Sequence, residues 1–197
     1  MFQTGEFTRA RRLCQHPEAV KFNRSAILRL DLLTWNEAGF ELLKACNTPE
    51  QTAYLSGPET DQKLLDRQRR YLTYYDLGVG EMMMIGLDGE IVGSVGYWET
   101  EWKGEAAYET GWAILPAHQG RGLGVAATRA IMGRLKPVAK HRYVFAFPTP
   151  ENPGSNGICR KVGFELLGVE EAEYPKGVWA PHNVWRLDLT SALPPTG

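Results

Sequence analysis

Residues 111–127 run Gly-Trp-Ala-Ile-Leu-Pro-Ala-His-Gln-Gly-Arg-Gly-Leu-Gly-Val-Ala-Ala. The apolar run Trp112 to Leu115 is stopped by Pro116, and the glycine-dense segment Gln119 to Gly124 leads into a helical pattern. Strand, glycine-rich loop and helix in that order form an anion cradle. Glycines let successive backbone N–H groups point one way, and the helix N-terminus adds partial positive charge. A ligand carrying phosphate is expected there.

Downstream, the helix spans about Leu123 to Leu135 and ends at Lys136-Pro137. Arg142 to Phe147 reads as a buried strand. Pro148, Pro150 and Pro153 exclude regular structure until a short helix, about Gly154 to Val162, which Gly163 caps. Phe164 to Val169 and Val184 to Leu189 read as an antiparallel pair joined by a long loop, 170–183, containing Tyr174 and Trp179. Upstream, Glu81 to Leu87, the turn Asp88-Gly89 and Glu90 to Trp98 form a tight hairpin. A charged turn over residues 100–105 then leads to Ala106 to Leu115, the third strand of an antiparallel meander.

Earlier still, Ser25 to Leu33 reads as a first strand. Thr34, with Glu37 three residues on, reads as a capping box opening a helix of about ten residues. That helix places Phe40, Leu43 and Trp35 on one face and ends near Asn47. A second helix, roughly Thr60 to Asp76, turns Leu64, Leu65, Tyr71, Leu72 and Tyr75 inward, and Gly78 and Gly80 stop it. Residues 1–23 are polar and broken by His16-Pro17, and read as an arm of uncertain order. Residues 24–190 read as one domain, and 191–197 as a C-terminal tail.

The bulk numbers narrow the function. The chain has 197 residues, 43% hydrophobic and 23% charged, with a net charge of −1. No global field recruits nucleic acid or an anionic membrane, and the basic cluster Arg9, Arg11 and Arg12 reads as a solvated arm. The three cysteines and four histidines show no metal-ligand spacing, and their scatter fits a reducing compartment. The first 25 residues lack a signal-peptide core, and no run of ~18 apolar residues occurs. A soluble, cytoplasmic protein is expected.

Two motifs carry a family resemblance. Gln119-Gly120-Arg121-Gly122-Leu123-Gly124 matches the Q/R-x-x-G-x-G/A pyrophosphate loop at every fixed position. Asn152-Pro-Gly-Ser155, followed by Lys161-Val-Gly163-Phe164, matches the later N-x-x-S…K-x-G-F segment. With the element order, these resemble the GNAT superfamily of acetyl-CoA-dependent N-acyltransferases, over roughly residues 25–190. The wording of the third meander strand resembles the branch holding the ribosomal-protein N-terminal acetyltransferases, which also holds small-amine and antibiotic acetyltransferases. The resemblance implies an α/β (α+β) fold: a mixed, mainly antiparallel twisted sheet of six to seven strands flanked by about four helices. It also implies acetyl-CoA as cofactor, an amine acceptor (a protein N-terminus or a small molecule) and, as in many relatives, a homodimer.

Other readings compete. Gly122-x-Gly124-x-x-Ala127 is a permissible dinucleotide fingerprint, but it follows a meander and not a βαβ unit, and the acid in the expected window, Glu151, lies in a proline-rich loop. No Gly-Lys-Ser/Thr follows, which excludes a triphosphatase loop. The plainest alternative is a tight turn with close helix packing.

The family places its general base on the third meander strand, which makes Glu109 the first candidate, ahead of Glu99 and Glu105. By strand alternation Glu109 and Gly111 face one way and Tyr108 and Thr110 the other. Glu109 reads equally as a solvated edge glutamate. Asn152 and Ser155 are ordinary helix caps and, by resemblance, contacts to the cofactor arm. Four residues after Ser155, where relatives often carry a tyrosine acid, stands Cys159. A thiol's reference pKa of ~8.5 suits the role, though a buried structural cysteine is the commoner case; Ser155 and water are the other candidates. Trp98, Tyr108 and Trp179 are candidate acceptor-lining aromatics among residues that otherwise pack or form the rim.

The resemblance implies direct transfer in a ternary complex. Backbone N–H groups of Arg121 to Gly124 hold the pyrophosphate, the cofactor arm pairs with Ala113-Ile114-Leu115, and an N–H near Ile114 stabilises the oxyanion. The alternative class is an acyl-CoA-binding sensor or pseudoenzyme on the same fold.

Overall fold

Two turns of one kind build the middle of the sheet. Asp88 and Gly89 have φ of 51° and 91°, and Lys103 and Gly104 have 51° and 85°. Paired positive φ values define the mirror-image turns that match the twist of a two-residue hairpin. They join three strands: β2 (Gly80–Leu87), β3 (Glu90–Trp102) and β4 (Glu105–Ile114). The second turn is tighter than a loop over 100–105, so β3 runs four residues beyond the expected Trp98 and pairs Trp102 with Glu105.

The computed structural model describes residues 30–173 and 177–195. The remaining elements are β1 (Leu30–Thr34), α1 (Ala38–Ala45), α2 (Asp61–Thr73), α3 (Leu123–Leu135), β5 (Tyr143–Ala146), α4 (Pro153–Val162), β6 (Glu165–Glu173) and β7 (Trp179–Asp188). The seven strands form one sheet in the order β1-β2-β3-β4-β5-β7-β6. Each neighbouring pair is antiparallel except β4 and β5, which run parallel. Seven strands with four α-helices agree with the expected architecture.

The two faces of the sheet bury separate cores. On one, α3 and α4 cover β-strand residues with Leu123, Ala127, Ile131, Leu135, Cys159 and Val162. On the other, Trp35, Leu42, Tyr71 and Tyr74 pack on Met82 and Met84. The large apolar run of β2, buried at all eight positions, follows from this covering of both faces.

Four sequence expectations need correction. Thr34 does not open a helix; it ends β1, paired with Met83. Helix α1 begins at Ala38, whose N–H is capped by the Asn36 side chain at 2.9 Å. Its fully buried positions are Gly39 and Leu42, while Phe40 and Leu43 are half-buried. Just past α2, Tyr74 faces the core and Tyr75 is 73% exposed, because the helix ends at Thr73 and the chain turns there; within α2, Leu65 is exposed while Leu64 is buried. The segment 170–183 is not a loop: β6 extends to Glu173 and β7 starts at Trp179. Exposed positions of β6 on both faces erase the apolar alternation that would mark it. Pro181 is tolerated because β5 covers β7 only from Trp185 to Asp188, leaving it one neighbouring strand. The expected arm 1–23, with its arginine cluster, the segment Ser25 to Arg29, Tyr174 and the last two residues lie outside the described residues.

Candidate active site

The site begins where two parallel strands part. β4 pairs with β3 along its whole length, from Trp102↔Glu105 to Gly93↔Ile114, but with β5 only at Tyr108↔Val144 and Glu109↔Phe145. Beyond Glu109 the β5 side of β4 is an open edge among the described residues. Leu115 N–H donates to the Val92 carbonyl at 2.9 Å, so strand alternation turns the backbone groups of Thr110, Trp112 and Ile114 toward this edge. A short extended ligand can pair there as an added strand.

Glu109 stands at the fork. It faces Trp98 across the β3–β4 ladder, and the Trp98 indole N–H donates to Glu109 Oε2 at 3.2 Å. Burial pushes its carboxyl above the ordinary glutamate value, opposed by the Trp98 bond and by the field of the Arg70 guanidinium. Behind Trp98 an aromatic series continues through Tyr74 (6.3 Å between centroids), Tyr71 (5.6 Å) and Trp35 (5.2 Å). Arg70 lies over the Tyr71 ring at 5.8 Å. Glu109 is therefore a half-buried carboxylate in an aromatic setting, shifted toward the range a general base needs.

The glycine loop is shaped for an anion. Gly120 and Gly122 have φ of 73° and 79°, and a Cβ at either would meet nothing within 4 Å. The space above the loop is open, and the loop conformation is one that L side chains rarely adopt. Gly122 is the N-cap of α3; no side chain caps the helix, and the first helical bond is Ala126 N–H to the Gly122 carbonyl at 3.0 Å. The N–H groups of Leu123, Gly124 and Val125 are thus the helix's unsatisfied donors. Gly124 has a separate role: a Cβ there would come within 2.5 Å of Ile158 Cδ1, so the glycine lets α3 and α4 pack closely. These donors and this open space fit the diphosphate of coenzyme A.

The third wall is the start of α4. Asn152 Oδ1 accepts the Ser155 N–H at 2.9 Å, and the Asn152 amide NH2 has no protein partner among the described residues. The Trp112 indole N–H donates to Ser155 Oγ at 3.3 Å, which leaves the serine proton free to be donated. Asn156 beside it was not singled out by sequence. It is 5% exposed, donates to the carbonyls of Thr149, Pro150 and Asn152, and accepts from Asn183 and the Trp185 indole. It fixes the proline-rich loop to β7.

Three sequence candidates lie elsewhere. Cys159 is fully buried in the α3–α4 core, and burial pushes its thiol up to about 12. Tyr108 is 3% exposed on the face opposite Glu109, where its hydroxyl accepts the Lys140 N–H at 2.8 Å. Trp179 begins β7, 66% exposed and paired with Glu173. Neither aromatic belongs to the group around Glu109. Conversely, Gln51, Arg70 and Trp112 reach the site without a local motif to mark them.

Strand, open edge, glycine cradle and carboxylate define an acyl-CoA-dependent N-acetyltransferase. The chain belongs to the GNAT acetyltransferase family: the family's acetyltransferase (GNAT) domain model matches residues 29–165. Among curated proteins none matches the chain. Solved structures share the fold. One is the ribosomal L7/L12 α-N-protein acetyltransferase RimL in complex with coenzyme A, at 19% identity over 81% of this chain and 93% of that one, with a TM-score of 0.67. Another is an acetyltransferase from Agrobacterium tumefaciens, at 20% identity over 87% and 99%, with a TM-score of 0.68. A third is the microcin C7 self-immunity acetyltransferase MccE in complex with acetyl-CoA and AMP, at 17% identity over 81% and 92%, with a TM-score of 0.68.

Proposed function

We propose that this acetyltransferase acts on a primary amine, either a protein N-terminal α-amine or a small-molecule amine, with Glu109 as general base. The observation that carries the reading is the position of Glu109, a carboxyl lifted by burial at the point where β4 parts from β5. Bound acetyl-CoA supplies the activated acetyl group. The open N–H groups of α3, with Gly120 and Gly122, hold its pyrophosphate, and the free edge of β4 from Thr110 to Ile114 aligns its arm. The Ile114 N–H, turned to that edge, donates to the carbonyl oxygen as negative charge develops on it. Glu109, directly or through water, takes the proton from the attacking ammonium. Ser155, with its proton free, protonates the departing thiolate; Cys159 is sealed inside the α3–α4 core and cannot reach it.

The base matters unequally for the two acceptor types. An α-amine of reference pKa ~8 is about 10% neutral at pH 7, and a lysine amine of ~10.4 only about 0.04%. The RimL neighbour, an L7/L12 α-N-protein acetyltransferase, supports the α-amine. A cytoplasmic location belongs to the same reading, supported by the scattered free thiols; no helix among the described residues is long and apolar enough to cross a membrane. So does a homodimer, which light scattering would detect.

The test is release of free CoA thiol from acetyl-CoA with a panel of N-terminal peptides, polyamines and amino sugars. Turnover of one class identifies the acceptor. Tight acetyl-CoA binding without turnover of any amine, under conditions where an active relative works, would sink the proposal.

A further inference from the structure

The segment between α1 and α2, residues 46–60, is a self-braced loop. At its base Asn47 and Glu59 exchange two hydrogen bonds, the Asn47 amide to the Glu59 carbonyl and the Glu59 N–H to Asn47 Oδ1, both at 2.8 Å. Inside it, Thr52 donates through its N–H and hydroxyl to the Thr48 carbonyl, at 3.0 and 2.7 Å, and the Gln51 N–H donates to Thr48 Oγ1 at 3.3 Å. The brace presents the Gln51 side chain to the other side of the site.

There Gln51 meets the cofactor machinery at two atoms. Its Nε2 donates to the Ile114 carbonyl at 2.9 Å, and its Oε1 accepts from Gln119 Nε2 at 2.8 Å. Gln119 Nε2 also donates to the Ile114 carbonyl, at 3.0 Å. A carbonyl can only accept, so the orientation of both amides is fixed. The carbonyl of Ile114 and the N–H of Leu115 belong to one peptide unit, and that N–H is held by Val92. The unit is therefore clamped at both ends, where the open edge of β4 passes into the glycine loop.

We propose that Gln51 is a positioning residue for acetyl transfer, clasping the α1–α2 loop to the glycine loop through Gln119 and the Ile114 carbonyl. The proposal rests on the reading of the preceding subsection. The α1–α2 loop leads directly into α2, whose Tyr74 packs against Trp98 and whose Arg70 acts on Glu109. The clasp thus connects the side from which the base is tuned to the side that holds the donor, across 63 and 68 residues of sequence. Without it, the last peptide of β4 and the first residue of the glycine loop lose a shared partner, and both acetyl-CoA affinity and the placement of the Ile114 N–H degrade.

The experiment compares Q51L, Q51E, Q119L and Q51L/Q119L for acetyl-CoA dissociation constant by calorimetry and for kcat and KM by thiol release. Q51L removes both bonds and should weaken acetyl-CoA binding about tenfold, the size of one to two net hydrogen bonds. Q51E keeps the shape and the acceptor for Gln119 but turns an oxygen onto the Ile114 carbonyl, so it should lose at least as much. Because both glutamines act on one carbonyl, the double variant should be less impaired than the product of the two single losses. A dissociation constant for Q51L and Q51E within twofold of the parent, or losses that multiply in the double variant, would overturn the proposal. A merely structural role lowers the melting temperature without changing affinity in the folded protein; if Q51L fails to fold, Q51E decides. The binding arm stands apart from turnover: a parent that binds acetyl-CoA but acetylates nothing refutes the preceding reading and still leaves the clasp tested.

Discussion

The general-base assignment makes a pH-dependent prediction for Glu109→Gln. The substitution keeps the shape of the side chain and an oxygen to accept the Trp98 indole bond of 3.2 Å, so it removes the charge and little else. A positioned base contributes roughly 100- to 10,000-fold. That full factor is expected for lysine-like acceptors at pH 7. For an α-amine the deficit should shrink as pH rises, because its neutral fraction climbs from about 10% at pH 7 to about 90% at pH 9. The assay is kcat/KM from thiol release between pH 6 and 9.5. Stability supplies the control. Burial raises the carboxyl pKa in the folded protein, so the folded state keeps this proton to higher pH than the unfolded chain does. The stability associated with the group is complete below the ordinary value of ~4.3 and falls as pH rises through the raised one. Glutamine carries no such loss, so E109Q should match the parent near pH 4 and melt at a higher temperature at pH 8. Activity at pH 7 within threefold of the parent would refute the base assignment, and a lower melting temperature at pH 8 would refute the reading of its burial.

Three further substitutions separate the parts of the site. Trp98→Phe removes the hydrogen bond that holds the Glu109 pKa down, so the acidic limb of the kcat/KM profile should move to higher pH; a limb that stays or moves lower contradicts the pairing. Gly122→Asp places a carboxylate at φ 79°, in a region aspartate tolerates and where a Cβ meets nothing, so the fold should survive. Like charges about 5 Å apart at an effective dielectric of ~20 repel by about 3 kcal/mol, so acetyl-CoA affinity should fall more than a hundredfold, read by calorimetry. Cys159→Ala removes a thiol with no exposed surface; it should cost about 1 kcal/mol in a denaturation curve and leave kcat within twofold, whereas a large loss of kcat would return Cys159 to the catalytic step.

What the sequence disclosed follows from how local each signal is. The span of α3 is correct to the residue because glycine before it, proline after it and a 3.6-residue apolar period all lie within one segment. The Asn152 cap and the Gly163 terminator, with φ of 103°, are equally local. The start of α1 is not legible locally: Thr34-x-x-Glu37 satisfies the capping pattern, yet β1 claims Thr34 for pairing with Met83, a partner 49 positions away in the chain. Tyr108 has the residue type of an acceptor-lining aromatic, but its parity is opposite to that of Glu109, which sends it into the core on the other face. Gln51, Trp112 and Arg70 bear no pattern because their roles arise from contacts between segments. A glutamine in a loop has no periodicity to betray it.

Alternation along β4 also explains how one strand can serve three purposes. Even-numbered side chains, Tyr108, Trp112 and Ile114, enter the α3–α4 core; the backbone groups of Tyr108 turn to β5, and those of Trp112 and Ile114 to the open edge. Odd-numbered Glu109 faces Trp98 and the α2 side. Core, donor edge and base are thus assigned by parity, with no loop needed to separate them. The glycine loop adds the anion site immediately after the strand, so base, edge and cradle keep their spacing by the rigidity of one extended segment. A one-residue slip would bury Glu109 in the α3–α4 core and bring Tyr108 out beside Trp98. The long β3–β4 ladder from Trp102↔Glu105 to Gly93↔Ile114 prevents that slip, and its turn residues Lys103 and Gly104, far from any reacting atom, set the register on which the chemistry depends.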